Sequence, residues 1–292
     1  KIVNQSDIAS WKGMANEAMT YNKANPDDPT AWTNSMFGGM PTTATIDSFD
    51  GDWTDSIYDF FLTGKRPASY LLLALIGGFL LMLSLGTRKT MAVAGAIAIA
   101  FCSYNMQIIQ VGHNTKMQAI AYFPWVLAGV IFTYRAAMRS FAGAQDGRKG
   151  AQDGRKGAQD GRKGTLEGKG LKHWLPQTIL GATLFAFALS MQIKANHPQI
   201  TYYLAIVIFA YAIGLFIYLC IKKKDLIKRF FAASAFLLVI GCIGIATNAN
   251  KLIPTYEYSK FTMRGGSELS SDSDSHNAKG LDLEYATAWS YG

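Results

Sequence analysis

Six apolar runs of about twenty residues follow one another along the chain: Ala68–Gly86, Met91–Val111, Gln118–Met138, Pro176–Lys194, Gln199–Ile221 and Arg229–Ala249. A helix of that length crosses a hydrocarbon layer roughly 30 Å thick. The shortest runs also suit buried helices of a soluble protein, but six in series with charged links define an all-α polytopic membrane protein. Half of the 292 residues are hydrophobic and 16% are charged, which agrees.

The basic residues orient these spans. Alternate links are rich in Lys and Arg: Arg88 and Lys89, then Arg135 through Lys172, then Lys222 to Arg229. These three segments hold 17 of the 28 basic residues and 5 of the 20 acidic ones, a balance of +12, against −4 for the rest of the chain. They were grouped by counting spans and not by charge, so the asymmetry is an independent sign that they are cytoplasmic. Residues 1–67 and 250–292 are then extracytoplasmic loops flanking a bundle over 68–249. The net charge of +8 is explained by loops beside anionic lipid, which argues against a nucleic-acid partner. Cys102, Cys220 and Cys242 lie in or beside apolar spans without a Cys-x-x-Cys pair, and read as small packing residues rather than a disulfide framework or zinc site.

The first residue is Lys1 and no signal peptide precedes the outer segment, so one upstream span is expected. The chain stops at "ATAWSYG" within a loop, which suggests a truncated outer segment. Residues 144–164 read "AQDGRKG" three times, and the unit offers no apolar pair for a coiled coil. A flexible, charged cytoplasmic loop over 141–172 is expected. In "SFDGDWTDSIYDFF", Phe49, Trp53, Ile57 and Phe60/Phe61 recur at helical spacing among acidic residues, predicting an amphipathic helix that covers an outward-facing cavity.

Polar residues interrupt the spans in a pattern. Ser103, Gln107, Gln110 and Asn114 are spaced to share one helix face, as are Ser190, Lys194 and His197. Such stripes should face the bundle interior or a wet cavity. Ser103, Gln107 and Ser190 suit interhelical hydrogen bonding. Pro198 suits the first turn of a helix, with Asn196 and His197 at its mouth. Two similar stretches, "MQIIQVGHNTK" and "MQIKANHPQ", thus bring His113, Asn114, Lys116, Lys194, Asn196 and His197 to one depth on adjacent hairpins. Imidazole, amide and ammonium groups together suit an anionic headgroup. "SSDSDSHN" near the C-terminus reads as a Ser-rich outer loop rather than a metal site.

At "WTNSMFGGMP", "GHNTKMQAIAYFPW", "NHPQITYY" and "IPTYEYSKFTMRGG" the chain resembles the YfhO family of bacterial membrane proteins, nearly throughout except for the heptapeptide repeat. Members look like glycosyltransferases of the C superfamily (GT-C). The resemblance implies a GT-C-like helical bundle in the bacterial cytoplasmic membrane, taking a sugar from a polyprenyl-phosphate donor. It places the catalytic aspartate of the first outer loop at Asp7. On the hypothesis of a glycosyltransferase, Lys116, Lys194 and Arg264 would neutralise the phosphate while His113 and His197 orient donor or acceptor. The superfamily's second acidic motif has no counterpart here, which leaves a divalent metal open. A transporter or lipid flippase, or a structural subunit of an envelope complex, are the competing classes.

Overall fold

The computed structural model describes residues 6–35, 38–42, 52–62, 66–152 and 163–261, with backbone alone for Ser6, Leu62, 139–152 and 163–173. The chain divides into two units: Lys1–Ile8 with Gly51–Asn248, and Ala9–Asp50 with Ala249–Gly292.

The first unit is a helical bundle. Its elements are α2 (Thr54–Leu62), α3 (Ala68–Ser84), α4 (Lys89–Ala100), α5 (Ser103–Val111), α6 (Asn114–Gln152), α7 (Lys163–Lys194), α8 (Pro198–Lys222) and α9 (Ile227–Ala246). Five segments are long and apolar enough to cross a membrane: Lys89–Val111, Asn114–Met138, Trp174–Lys194, Pro198–Lys222 and Lys224–Ala246. The first of the six expected runs, α3, has 17 residues and is shorter than these. At about 1.5 Å per residue it reaches about 25 Å, short of the hydrocarbon thickness.

α6 is the most buried span and packs most extensively on α7 and α3. Small residues let the backbones approach. A Cβ at Gly129 of α6 would fall 2.6 Å from the Phe185 backbone of α7, and one at Gly244 of α9 would fall 2.6 Å from the Ala186 carbonyl. In lipid, where no hydrophobic force joins helices, this close approach supplies the van der Waals contact that does. Directional bonds then fix register. Trp125 Nε1 donates to the Leu73 carbonyl at 2.8 Å, tying α6 to α3. Ser190 and Thr247 hydroxyls meet at 2.6 Å, and Asn248 Nδ2 donates to the Ser190 carbonyl at 3.1 Å. Ser190 thus makes the interhelical bond that its position suggested. Toward the opposite end, Arg135 donates to the Ser84 carbonyl at 2.5 Å and Arg229 to the Ala137 carbonyl at 3.2 Å. The Ser84 carbonyl ends α3, so Arg135 satisfies an acceptor that the helix itself leaves open.

Several expectations need correction. The second span is not one helix: it breaks at Phe101–Cys102, where Cys102 is extended (φ −61°, ψ 149°). The break is stabilised by Asn105 Nδ2, which donates to the carbonyls of Ile99 and Ala100 at 2.9 and 3.1 Å. The polar stripe does not face inward either. Ser103, Gln107 and Gln110 are exposed, the buried face of α5 is Asn105, Ile108 and Ile109, and Asn114 belongs to α6. Spacing groups residues on a face without saying which face is buried. Cys102 and Cys242 are exposed rather than packed inside. The repeat segment is not wholly loop, since α6 runs to Gln152 and α7 starts at Lys163. Ala, Gln, Arg and Lys are good helix formers, and they extend helices that the bundle has already nucleated.

The amphipathic helix forms as α2, with Ile57, Tyr58 and Phe61 packed against the bundle core. Phe61 lies 5.3 Å from the Phe187 ring and 6.5 Å from Trp125, between centroids. Trp53 and Phe60 are exposed, so the apolar face is narrower than the spacing implied, and Phe49 lies outside the described residues.

The second unit is built on the part of α1 (Ser6–Ala24) beyond Ile8, and on the short antiparallel pair β1 (Trp32–Thr33) and β2 (Met40–Pro41). Glu17 Oε2 accepts from Thr33 Oγ1 at 2.9 Å and from the Asn34 amide at 3.0 Å. The Thr33 bond comes first among the causes that lower the Glu17 pKa. The Gly-Gly turn is present, with φ +74° at Gly38 and +126° at Gly39, values that L side chains rarely adopt. The helix α10 (Ala249–Ser259) also belongs to this unit.

Candidate functional site

The first turns of α6 and α8 border one cleft of about 200 Å³, lined by His113, Thr115, Lys116, His197 and Gln199. Local sequence places both histidines at helix mouths. Gly112 ends α5 in the left-handed region (φ +101°), which turns the chain so that His113 immediately precedes α6. Asn196 adopts φ +55° after α7, and His197 then caps α8 with Pro198 in its first turn. Asn tolerates the left-handed conformation better than other side chains, and Pro is pre-set for the start of a helix. Two helix N-termini, each carrying partial positive charge, therefore point into the same region.

Asp7 joins this site. Its Oδ2 lies 2.6 Å from His113 Nε2, with both side chains about half exposed. Lys116 Nζ lies 5.4 Å from the centroid of the Tyr104 ring. His197 Nε2 is buried and has no hydrogen-bond partner among the described residues. Burial first, then the charges of Lys116 and His113, hold the His197 imidazole below its ordinary pKa of 6.5. A buried imidazole nitrogen without a partner beside a lysine and a second histidine is a place for a hydrogen-bonding ligand group.

The expected constellation is assembled in part. Asp7, His113, Lys116 and His197 come together; Asn114 and Asn196 shape the two turns without lining the cleft. Arg264 lies outside the described residues, as does the "SSDSDSHN" segment. Lys194 requires correction. It is 2% exposed, and its Nζ contacts Asp52 Oδ2 at 2.7 Å, Asp55 Oδ1 at 2.6 Å and Thr54 Oγ1 at 2.6 Å. Two carboxylates already compensate this ammonium, so it is not available to neutralise a phosphate. Sequence reasoning missed Thr115 and Gln199, although each sits two residues after a helix-mouth histidine. Gln199 Nε2 donates to the Tyr203 hydroxyl at 2.9 Å, one turn along α8. Among the described residues, no group of three or more His, Cys, Asp or Glu side chains is placed to hold a metal ion.

Comparison with protein-family models, curated proteins and solved structures returned no match.

Proposed function

We propose that this protein is a membrane-embedded glycosyltransferase that takes a sugar from a polyprenyl-phosphate donor at the outer rim of its bundle. The carrying observation is the Asp7–His113 contact at the edge of a cleft lined by Lys116 and His197. The motif resemblance to YfhO proteins and the polarity of the basic links support the same assignment, including a bacterial cytoplasmic membrane with 1–67 and 250–292 outside.

Size decides what the cleft holds. About 200 Å³ is below the roughly 300–1,000 Å³ that encloses a drug-sized ligand. It takes the phosphate and leaves the prenyl chain in lipid and the sugar at the mouth. Lys116, the His197 imidazole and the two helix N-termini stabilise the charge that grows on the phosphate as the anomeric C–O bond breaks. Asp7 accepts the proton of the acceptor hydroxyl as that oxygen attacks the anomeric carbon, and His113 orients the carboxylate. Lys194, held by Asp52 and Asp55, does not contact the phosphate in this scheme.

Purified full-length chain supplied with a radiolabelled polyprenyl-phosphate sugar and an envelope extract as acceptor should give labelled product, and Asp7→Asn should not. Full transfer by Asp7→Asn would remove the aspartate from the mechanism. The break between α4 and α5 favours a second reading, because transporters place interrupted helices within the membrane. Movement of the lipid-linked sugar between leaflets without a covalent product would establish that reading instead.

A further inference from the structure

We propose that Lys194 is a positioning residue: its cluster with Asp52, Thr54 and Asp55 anchors the turn that presents His197 to the cleft. α7 ends at Lys194, and His197 follows three residues later. The intervening turn is short and bonded to itself: Ala195 N donates to the Met191 and Gln192 carbonyls, and Asn196 N to the Ile193 carbonyl. Two side chains hold its base: Gln192 Nε2 donates to the Ala119 carbonyl at 3.1 Å, and the ammonium of Lys194 reaches partners at the start of α2. Thr54 Oγ1 accepts from Lys194 and donates to Asp52 Oδ1 at 2.5 Å. The Tyr58 ring centroid lies 5.9 Å from Nζ and closes a further side.

Burial makes this arrangement specific. Lys194 and Asp52 are 2% and 7% exposed, so water does not replace the contact between them if either one moves. Buried ion pairs add little net stability, and their best-attested use is fixing one arrangement among several. Here the arrangement fixed is the backbone that leads into His197, whose titratable neighbours are Lys116 and His113, the latter in contact with Asp7. The functional consequence rests on the phosphate reading of the cleft; the structural one does not.

The test is a histidine titration by NMR on the detergent-solubilised full chain, wild type against Lys194→Met combined with Asp52→Asn, which removes both buried charges together. The variant should retain cooperative unfolding, its His197 should titrate closer to 6.5 as the turn loosens and water enters, and inorganic phosphate should bind roughly tenfold more weakly. A folded variant whose His197 titrates as in wild type overturns the proposal. If the double variant does not unfold cooperatively, Asp55→Asn carries the test, since Asp55 is 33% exposed and leaves Asp52 in place. A smaller upward movement of His197 then supports the proposal, and none overturns it. Should the titration move while wild-type protein binds no phosphate, positioning stands and the phosphate reading falls. Adding His197→Gln to the charge-deleted variant should cost no further phosphate affinity; full additivity would make Lys194 a direct ligand and overturn the proposal.

Discussion

The Asp7 carboxylate and the His113 imidazole are 2.6 Å apart, although 106 positions separate them in the chain. An exposed pair of this kind contributes about 0–1 kcal/mol to stability. On the proposed function its significance is chemical, because a carboxylate held by an imidazole at the edge of the cleft is placed to accept a proton. Asp7→Asn and His113→Gln should therefore each lower sugar transfer by about 10²–10⁴-fold, the range for a lost general base and its partner. The double variant should be no worse than Asp7→Asn alone, as for groups that act as a unit. Transfer rates from purified variants check this, with unfolding midpoints expected to match wild type.

A second outcome concerns pH. His197 is held below 6.5 in the empty cleft, so it is largely neutral at neutral pH. An anion seated against it favours the charged imidazole and raises its pKa, so binding takes up a proton. Affinity should rise as pH falls from above the occupied-state pKa toward the empty-state value, then level off. Sulfate is a suitable probe because its own charge does not titrate near neutrality. His197→Gln should flatten the profile. Folding carries the opposite sign: a depressed histidine contributes stability that is present above its unfolded pKa and is lost as pH falls from there toward the folded pKa.

The break in the second span yields a stability prediction. Asn105 is 2% exposed and its amide satisfies the carbonyls of both Ile99 and Ala100. Asn105→Ala leaves two carbonyls unsatisfied in an apolar surrounding, at a cost of about 1–3 kcal/mol each at most. Denaturant unfolding in detergent should show that loss, with phosphate affinity unchanged because Asn105 does not touch the cleft.

The parts of this arrangement differ in how far the residues announced them. Membrane crossing was legible because the length of an apolar run is set against a fixed hydrocarbon thickness, and only α3 falls short of it. The Asn196–His197–Pro198 turn was legible because each residue type has a backbone reason to be there. The fate of Lys194 was not, since its partner Asp52 lies 142 positions away and nothing local distinguishes a paired ammonium from a free one. The α4–α5 break was hidden for a related reason. Apolar composition continues through Phe101 and Cys102, and the residue that stabilises the break, Asn105, sits between members of a polar stripe that drew attention to the wrong face. Asp7 was one acidic residue among several near the membrane until the family resemblance raised it, and its contact with His113 is something only the fold supplies.

The most direct measurement is the NMR response of the histidine rings when a short-chain polyprenyl phosphate is added to the detergent-solubilised protein. His113 and His197 should both shift with one saturable dissociation constant, His197 should gain a proton, and Lys116→Met should weaken binding by at least about tenfold, as expected for loss of a charge-assisted hydrogen bond. Unmoved rings at saturating lipid phosphate, or shifts that Lys116→Met leaves intact, would contradict an anion site between the mouths of α6 and α8.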